Sequence, residues 1–265
     1  MGSAIARRIG AGSTTFLADF NEQSLATETN TLVAAGFDVE SRVVDVSAKD
    51  SVDALAADAA ARGSVVAVVH PAGVSPVQAS IDAIMRVDLV GTALMLDAFG
   101  DVIGSGGTGV FITSMAGTMT SLDPRLELRL ATTPTDQLLE IPELLPGAIA
   151  NSATAYGIAK RANQVRVRAA SVTWGQRGAR VNSISPGVIS TPMGSAELDG
   201  PHGDIMRAMI AGSGTGRIGT PEDIAGAVAF LIGGDASFIT GTDLLVDGGV
   251  VASLHAHLPT DRVCP

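Results

Sequence analysis

Short apolar runs alternate along the chain with longer segments of helical period. Ser13–Asp19 (STTFLAD), Val39–Val46, Ser64–His70 (SVVAVVH), Gly109–Ser114 (GVFITS), Arg180–Ile184 and Leu244–Val246 read as strands. The Ser64–His70 run shows no polar alternation, as in a strand buried on both faces. Helices fill the intervals. Asn21 is a suitable N-cap for a helix to about Ala35, with Gly36 as its stop. Further helices are predicted over Asp50–Ala61, Val77–Phe99 and Ala153–Trp174, and after Thr220-Pro221, where proline suits the first helical position. Met1–Ile9 is helical from its first residues, with no strand before it. From Thr118 to Asn151 the rhythm fails: Pro124, Pro134, Pro142 and Pro146 interrupt Leu-rich pieces, which predicts short helices or a lid. Ser190–Gly219 reads as loop plus a short helix near Asp204–Ala211, and the C-terminal tail shows no pattern. Alternating strands and helices predict an α/β fold. It is a single domain over 1–265, doubly wound and Rossmann-type, with a parallel sheet, an inserted segment at about 118–151 and ligand sites at the strands' C-terminal ends.

Composition narrows the function. Hydrophobic residues are 46% and charged residues 17% of 265, enough for a sizeable core; 31 glycines with 3% aromatics suit tight βα turns. A net charge of −10 argues against a nucleic-acid or anionic-membrane partner. The single Cys264 excludes a disulfide framework or a cysteine-based metal site within the chain, and no metal site is expected. There is neither an apolar run long enough for a membrane span nor a signal pattern, so a cytoplasmic protein is expected.

The candidate chemistry centres on one helix. Tyr156 is the chain's only tyrosine, and Lys160 is one of two lysines, with Lys49. A spacing of four puts both side chains on one helix face, about 5–6 Å apart at Cβ. An ammonium there favours the phenolate and lowers the phenol's pKa, and such a tyrosine exchanges a proton with an alcohol or carbonyl oxygen. The plain alternative is a packing tyrosine and a solvated lysine. Gly2, opening the first helix, and Asp19, closing the next strand, fit a dinucleotide site: pyrophosphate at the helix N-terminus, ribose hydroxyls on the acid. Asp19 is followed by Phe20, not by arginine, which favours NAD over NADP. An aspartate at a strand end is otherwise a turn residue.

Taken in order, Asp19, Asp45-Val46, Ala72-Gly73, Ser114, Tyr156-x-x-x-Lys160, Asn182-x-x-x-Pro186-Gly187 and Thr191 resemble the short-chain dehydrogenase/reductase family. Gly216-Arg217-x-Gly219-x-Pro221-Glu222-Asp223 and Asp247-Gly248-Gly249 extend the resemblance, which runs from Gly2 to Gly249. It implies that Tyr156 is the acid/base, that Lys160 lowers its pKa and binds the nicotinamide ribose, and that Ser114 hydrogen-bonds the reacting oxygen. It further implies Met1 and Gly2 at the pyrophosphate, Asp19 at the adenosine ribose, Asp45 and Val46 at the adenine, and Ala72-Gly73 beneath that ribose. Pro186, Gly187, Ile189 and Thr191 would hold the nicotinamide carboxamide. The expected activity is hydride transfer between NAD(H) and a small-molecule secondary alcohol or ketone, hydrophobic or steroid-like, by a homodimer or homotetramer. A dinucleotide-binding sensor or scaffold without turnover is the alternative from another class.

The sequence departs from the family pattern in four places. The family's Asn-Asn-Ala-Gly turn is His70-Pro71-Ala72-Gly73, with His70 expected to be structural. The family's catalytic asparagine, which positions a water beside the lysine, is Asp88, whose charge would weaken the drop in the Tyr156 pKa. Ser114 and Tyr156 are separated by the insertion, which resembles that of bacterial 3α-hydroxysteroid dehydrogenase/carbonyl reductase, where it serves subunit contact or covers the substrate. Finally, the strand and Gly-rich turn that precede the first helix in the family have no counterpart here. The expectation is a start clipped by roughly 10–15 residues, the length of a strand of 5–6 residues plus its turn, or an inactive truncated form.

Overall fold

The computed structural model of the protein describes residues 1–256. Six strands form two sheets. β1 (Thr15–Asp19) pairs with β2 (Val39–Val43), while β3 (Val65–His70), β4 (Ile103–Ile112), β5 (Arg180–Pro186) and β6 (Asp243–Val246) form a four-stranded sheet in that order. Every pairing is parallel, so helical crossovers connect the strands. Among the described residues no strand bridges β1 to β3.

Helices α1 (Gly2–Ile9), α2 (Glu22–Ala34) and α3 (Lys49–Arg62) precede β1, β2 and β3. α4 (Ile81–Ile84) runs on through a π-helical stretch, Met85–Gly91, into α5 (Thr92–Val102). α6 (Met115–Met119), α7 (Pro124–Thr132), α8 (Ser152–Gln176), α9 (Pro192–Leu198), α10 (Gly203–Gly212), α11 (Pro221–Ile232) and α12 (Val250–Ala256) are the remaining α-helices among the described residues. Local chemistry sets several starts. The Asn21 side chain accepts from the Ser24 amide, Ser80 from that of Ala83, and Thr220 with Asp223 closes a reciprocal cap at α11.

The four-stranded sheet is buried on both faces, and β4 shows how. Phe111 points into one cluster with Val68, Phe99, Val181 and Trp174; its neighbours Val110 and Ile112 point into the other, with Ile5, Ile184, Ile224 and Val228. Trp174 is 1% exposed, meets Phe111 edge-on and donates its indole N–H to the Leu96 carbonyl at 3.2 Å. No helix among the described residues is long and apolar enough to cross a membrane.

Several expected boundaries move. β2 stops at Val43, because the Asp45 carboxylate accepts from the Ser47 amide and hydroxyl and turns the chain there. The helix expected from Val77 begins at Ile81, where Ser80 caps it. β4 starts at Ile103 instead of Gly109: the Gly-rich stretch looks like a turn, yet Ile103 pairs with Val65 across an irregularity. α9 occupies part of an expected loop, opened by Thr191, whose hydroxyl accepts from Gly194 N at 3.1 Å. The patternless tail includes α12; Cys264 and the rest of that tail lie outside the described residues.

The Pro-rich segment is a packed layer. α7 and two 3-10 turns, Thr135–Glu140 and Pro142–Leu144, bury Leu126, Leu130, Leu138 and Leu144 against Leu89 and the Ala-rich face of α8. Buried Arg166 of α8 donates to the carbonyls of Leu130 (3.0 Å) and Thr133 (2.9 Å), satisfying the C-terminal end of α7.

Candidate active site

α8 organises the site. Its residues Tyr156, Lys160 and Gln164 follow one another at intervals of four and share a face. Tyr156 is partly buried and Lys160 is 3% exposed, its Nζ 5.3 Å from the centre of the phenol ring. Gly117 lets α6 press against the same turn: a Cβ there would sit 2.7 Å from the Lys160 carbonyl carbon.

Lys160 has one ion-pair partner among the described residues, Asp88, fully buried at 0% exposure. Lys160 Nζ donates to Asp88 Oδ1 at 3.3 Å. The same oxygen accepts from the Val74 amide at 3.0 Å, whereas Asp88 Oδ2 has no partner. The π-helical turn presents this residue: its carbonyl is taken by side chains, Thr92 Oγ1 at 2.7 Å and Asn163 Nδ2 at 2.8 Å. Gly73 closes the cluster. A Cβ on it would lie 2.6 Å from Asp88 Oδ1 and 3.0 Å from Lys160 Nζ, so a larger residue would push the ion pair out of its present position. Ser114 follows β4 and caps α6, accepting from the Ala116 amide at 3.1 Å. Its hydroxyl holds the Tyr156 pKa down, although no closed hydrogen bond joins the two.

The electrostatics correct one expectation. Burial raises the Tyr156 pKa, and the carboxylates of Asp88 and Glu197 raise it further; Lys160 and Ser114 pull it down without prevailing. Lys160 acts in the expected sense but is outweighed. Burial disfavours its own charge, yet Asp88 and Tyr156 together leave it held as ammonium, the direction the geometry supports, because the Asp88 carboxylate accepts from it and the Tyr156 ring faces it. Burial pushes the Asp88 carboxyl up against the pull of Lys160 and the Val74 amide. His70, at the end of β3, is 2% exposed; burial and the Lys160 charge hold its pKa down to about 3, so it is neutral, and Nε2 is unpartnered.

The expected cofactor residues gather at strand and helix ends. The N-terminus of α1 at Met1 and Gly2 has no side-chain cap, leaving amides for an anion, and Gly2 sits beside Pro71. Asp19 is exposed at the end of β1, one carboxylate oxygen accepting from Asn21 N at 2.8 Å. Val46 packs on Gly91, and Pro71-Ala72 join His70 to Gly73. Pro186 pairs with Val246, Gly187 donates to the Val246 carbonyl at 3.0 Å, Ile189 bridges to Gly219 and Thr191 caps α9. Tyr156, Lys160, Asp88 and Gly73 thus meet directly, with Ser114 beside the phenol. Asp19 and Asp45 are instead engaged by their own turns. This set fits a dinucleotide: an uncapped helix start for phosphate, an exposed carboxylate for ribose hydroxyls, and a glycine where a side chain would obstruct.

Two features escape local reading. Beneath Ser114, the Asp243 carboxylate accepts from Ser183 (2.5 Å), Ser185 (2.7 Å) and Thr113 (3.1 Å), while Gln164 Nε2 donates to Ser185 Oγ at 2.8 Å. The network ties α8 to β4, β5 and β6 and so fixes Tyr156 relative to Ser114. Its one local signal is Gln164, a polar residue on the Tyr156–Lys160 face. Secondly, buried Ser75 donates to Glu197 Oε1 of α9 at 2.8 Å, bringing a carboxylate near the phenol. Met115, Val188, Leu198, Met206, Met209 and Val251 form an apolar wall.

Comparisons with known proteins bear on this arrangement. The family described as enoyl-(acyl carrier protein) reductase matches residues 1–124 and 146–251, passing over most of the α7 segment. A short-chain dehydrogenase/reductase of Alternaria brassicicola is 41% identical over 256 residues, 96% of this chain and 93% of that one. A 3beta-hydroxysteroid dehydrogenase of Eggerthella lenta is 28% identical over 254 residues, 94% of this chain and 89% of that one. Among solved structures, a 7 alpha-hydroxysteroid dehydrogenase complexed with NADH and 7-oxo glycochenodeoxycholic acid superposes with a TM-score of 0.74. It is 22% identical and covers 94% of this chain and 89% of its own, a likeness of fold.

Proposed function

The chain belongs to the short-chain dehydrogenase/reductase family, and from that premise we propose that it interconverts a hydrophobic, steroid-like secondary alcohol and its ketone with NAD(H). The observation that carries the reading is that Lys160 and Ser114 both act on the Tyr156 phenol, while Met115, next to Ser114 in the chain, joins an apolar cluster. Bound NAD(H) would supply or accept the hydride. Tyr156 gives its proton to the substrate oxygen in reduction and takes one in oxidation. Lys160 holds positive charge under the phenol, and Ser114 orients the reacting oxygen. Glu197 and Ser75 fix α9 against the turn after β3.

The proposed preference for NAD rests on Asp19, whose exposed carboxylate would repel a 2′-phosphate. The wall of Met, Val and Leu supports an apolar ring system, as does the relative named for a hydroxysteroid. Phe230 and Phe238, 46% and 102% exposed, support a homo-oligomer. The test follows NADH and NADPH absorbance with a panel of steroid, alicyclic and polyol ketones. Turnover of apolar ring ketones with NADH is expected; turnover confined to polyols, or to NADPH, would sink the reading.

A further inference from the structure

The family's lysine is paired here with a carboxylate, and that changes the charge count of the site. Lys160 is 3% exposed and Asp88 0% exposed, and Asp88 Oδ1 receives the ammonium at 3.3 Å while Oδ2 is left without a partner. The phenol ring of Tyr156 lies on the same ammonium, 5.3 Å from Nζ to its centre. The charged and titratable groups facing the cluster come from four elements: Lys160 and Tyr156 from α8, Asp88 from the π-helical stretch, His70 from β3 and Glu197 from α9. Of these, Lys160 alone is a cation, since His70 is neutral above about pH 3. A phenolate at Tyr156 would therefore be a second anion on a cation already claimed, with Glu197 as a third negative group nearby.

We infer that Asp88 and Tyr156 compete for the single buried cation Lys160, so that Asp88 is a positioning residue that keeps Tyr156 protonated and makes the site a better proton donor than proton acceptor. An asparagine would give the Val74 amide the same acceptor, at Oδ1, without a negative charge. Its Nδ2 would supply a donor where Asp88 has an unpartnered oxygen. The carboxylate thus adds charge beyond what the turn requires. In ketone reduction the Tyr156 O–H bond breaks and its proton goes to the substrate oxygen as hydride reaches the carbonyl carbon. A phenol disfavoured as phenolate readily makes that transfer. Alcohol oxidation needs the phenolate first and becomes efficient only at alkaline pH. The directional bias rests on the proposed alcohol–ketone activity; the charge competition does not.

Because Tyr156 is the only tyrosine in the chain, its ionisation can be read directly, without cofactor or substrate, from the near-ultraviolet phenolate band. The experiment titrates that band in the wild-type protein, in Asp88→Asn and in the smaller Asp88→Ser, with circular dichroism at each pH to mark where the fold is intact. The wild-type phenol is expected to ionise above the ordinary tyrosine value of about 10, and either neutral variant to ionise at least about one unit lower. Should neither variant fold, the wild-type titration still tests the inference, since ionisation below the ordinary value overturns it, and Asp88→Glu, which keeps the charge, is expected to leave the phenol ionising above that value. Equal values in wild type and variants overturn it, as does an upward shift, which would mean that Asp88 serves only to hold Lys160 in place. In turnover, the acidic limb of alcohol oxidation against pH should move down by the same interval in Asp88→Asn. A protein that passes the titration but turns over no ketone would leave the charge competition standing and remove the proposed activity.

Discussion

The chain before His70 and the chain after it bury different kinds of side chain. Up to Val68 the buried residues are Ile, Leu, Val and Ala, and β1 and β2 end in exposed residues. From His70 onward the interior also holds Asp88, Lys160, Asn163, Gln164, Arg166, Asn182 and a line of serines and threonines. The first region offers uncapped backbone amides at the start of α1 and an exposed carboxylate at Asp19, the groups the proposed cofactor role would use. The second holds charge in a dry interior, where each buried polar group needs a partner and the whole cluster is rigid once satisfied. Chemistry belongs where charge can be positioned and water excluded, and the proposed active site accordingly lies with α8 and the four-stranded sheet. The two-stranded part, to which no third strand is joined among the described residues, carries only binding groups in the proposed function.

The sharpest way to break this division is Tyr156→Phe. It keeps the ring and removes the exchangeable proton, so turnover should fall by about 10²–10⁴-fold while NAD affinity by calorimetry is retained. Loss of both together would mean that the two regions do not divide the work. Next in size is Trp174→Ala, which empties a 1%-exposed site under the catalytic sheet. It should cost about 3–5 kcal/mol in chemical denaturation, against a much smaller loss for Phe16→Ala, since Phe16 is only partly buried in β1.

A third expectation concerns acid. His70 is neutral when folded, with its pKa held down to about 3, and takes up a proton near its ordinary value of 6.5 when unfolded. Between those values the unfolded chain binds more protons, so stability falls as the pH is lowered, by about 1.4 kcal/mol per unit from this group. His70→Asn should flatten the stability profile between pH 3 and 6.5. An unchanged slope would place the acid sensitivity elsewhere. The smallest effect is expected at Asp19→Ala. Removing an exposed carboxylate should narrow the preference for NAD over NADP by about 1 kcal/mol, roughly fivefold; a parent enzyme that already prefers NADP would show the exposed region to be misread.

The sequence by itself determined whatever depends on neighbours along the chain. Tyr156 and Lys160 share a face because they are four apart on a helix; Asn21 and Thr220 start helices because their side chains reach amides a turn ahead. Apolar runs located the strands, and the order of short motifs identified the family. Tertiary structure decided the rest, because it joins residues that no local pattern connects. Asp88 meets Lys160 only when a π-helical turn and the Gly73 turn pack against α8. Ile103 enters β4 because Val65 is there to pair with it. Asp243 gathers Thr113, Ser183 and Ser185 only once three strands are in register. The phenol's pKa follows the same division: the lysine four residues away favours ionisation, and the burial and distant carboxylates supplied by the fold prevail over it.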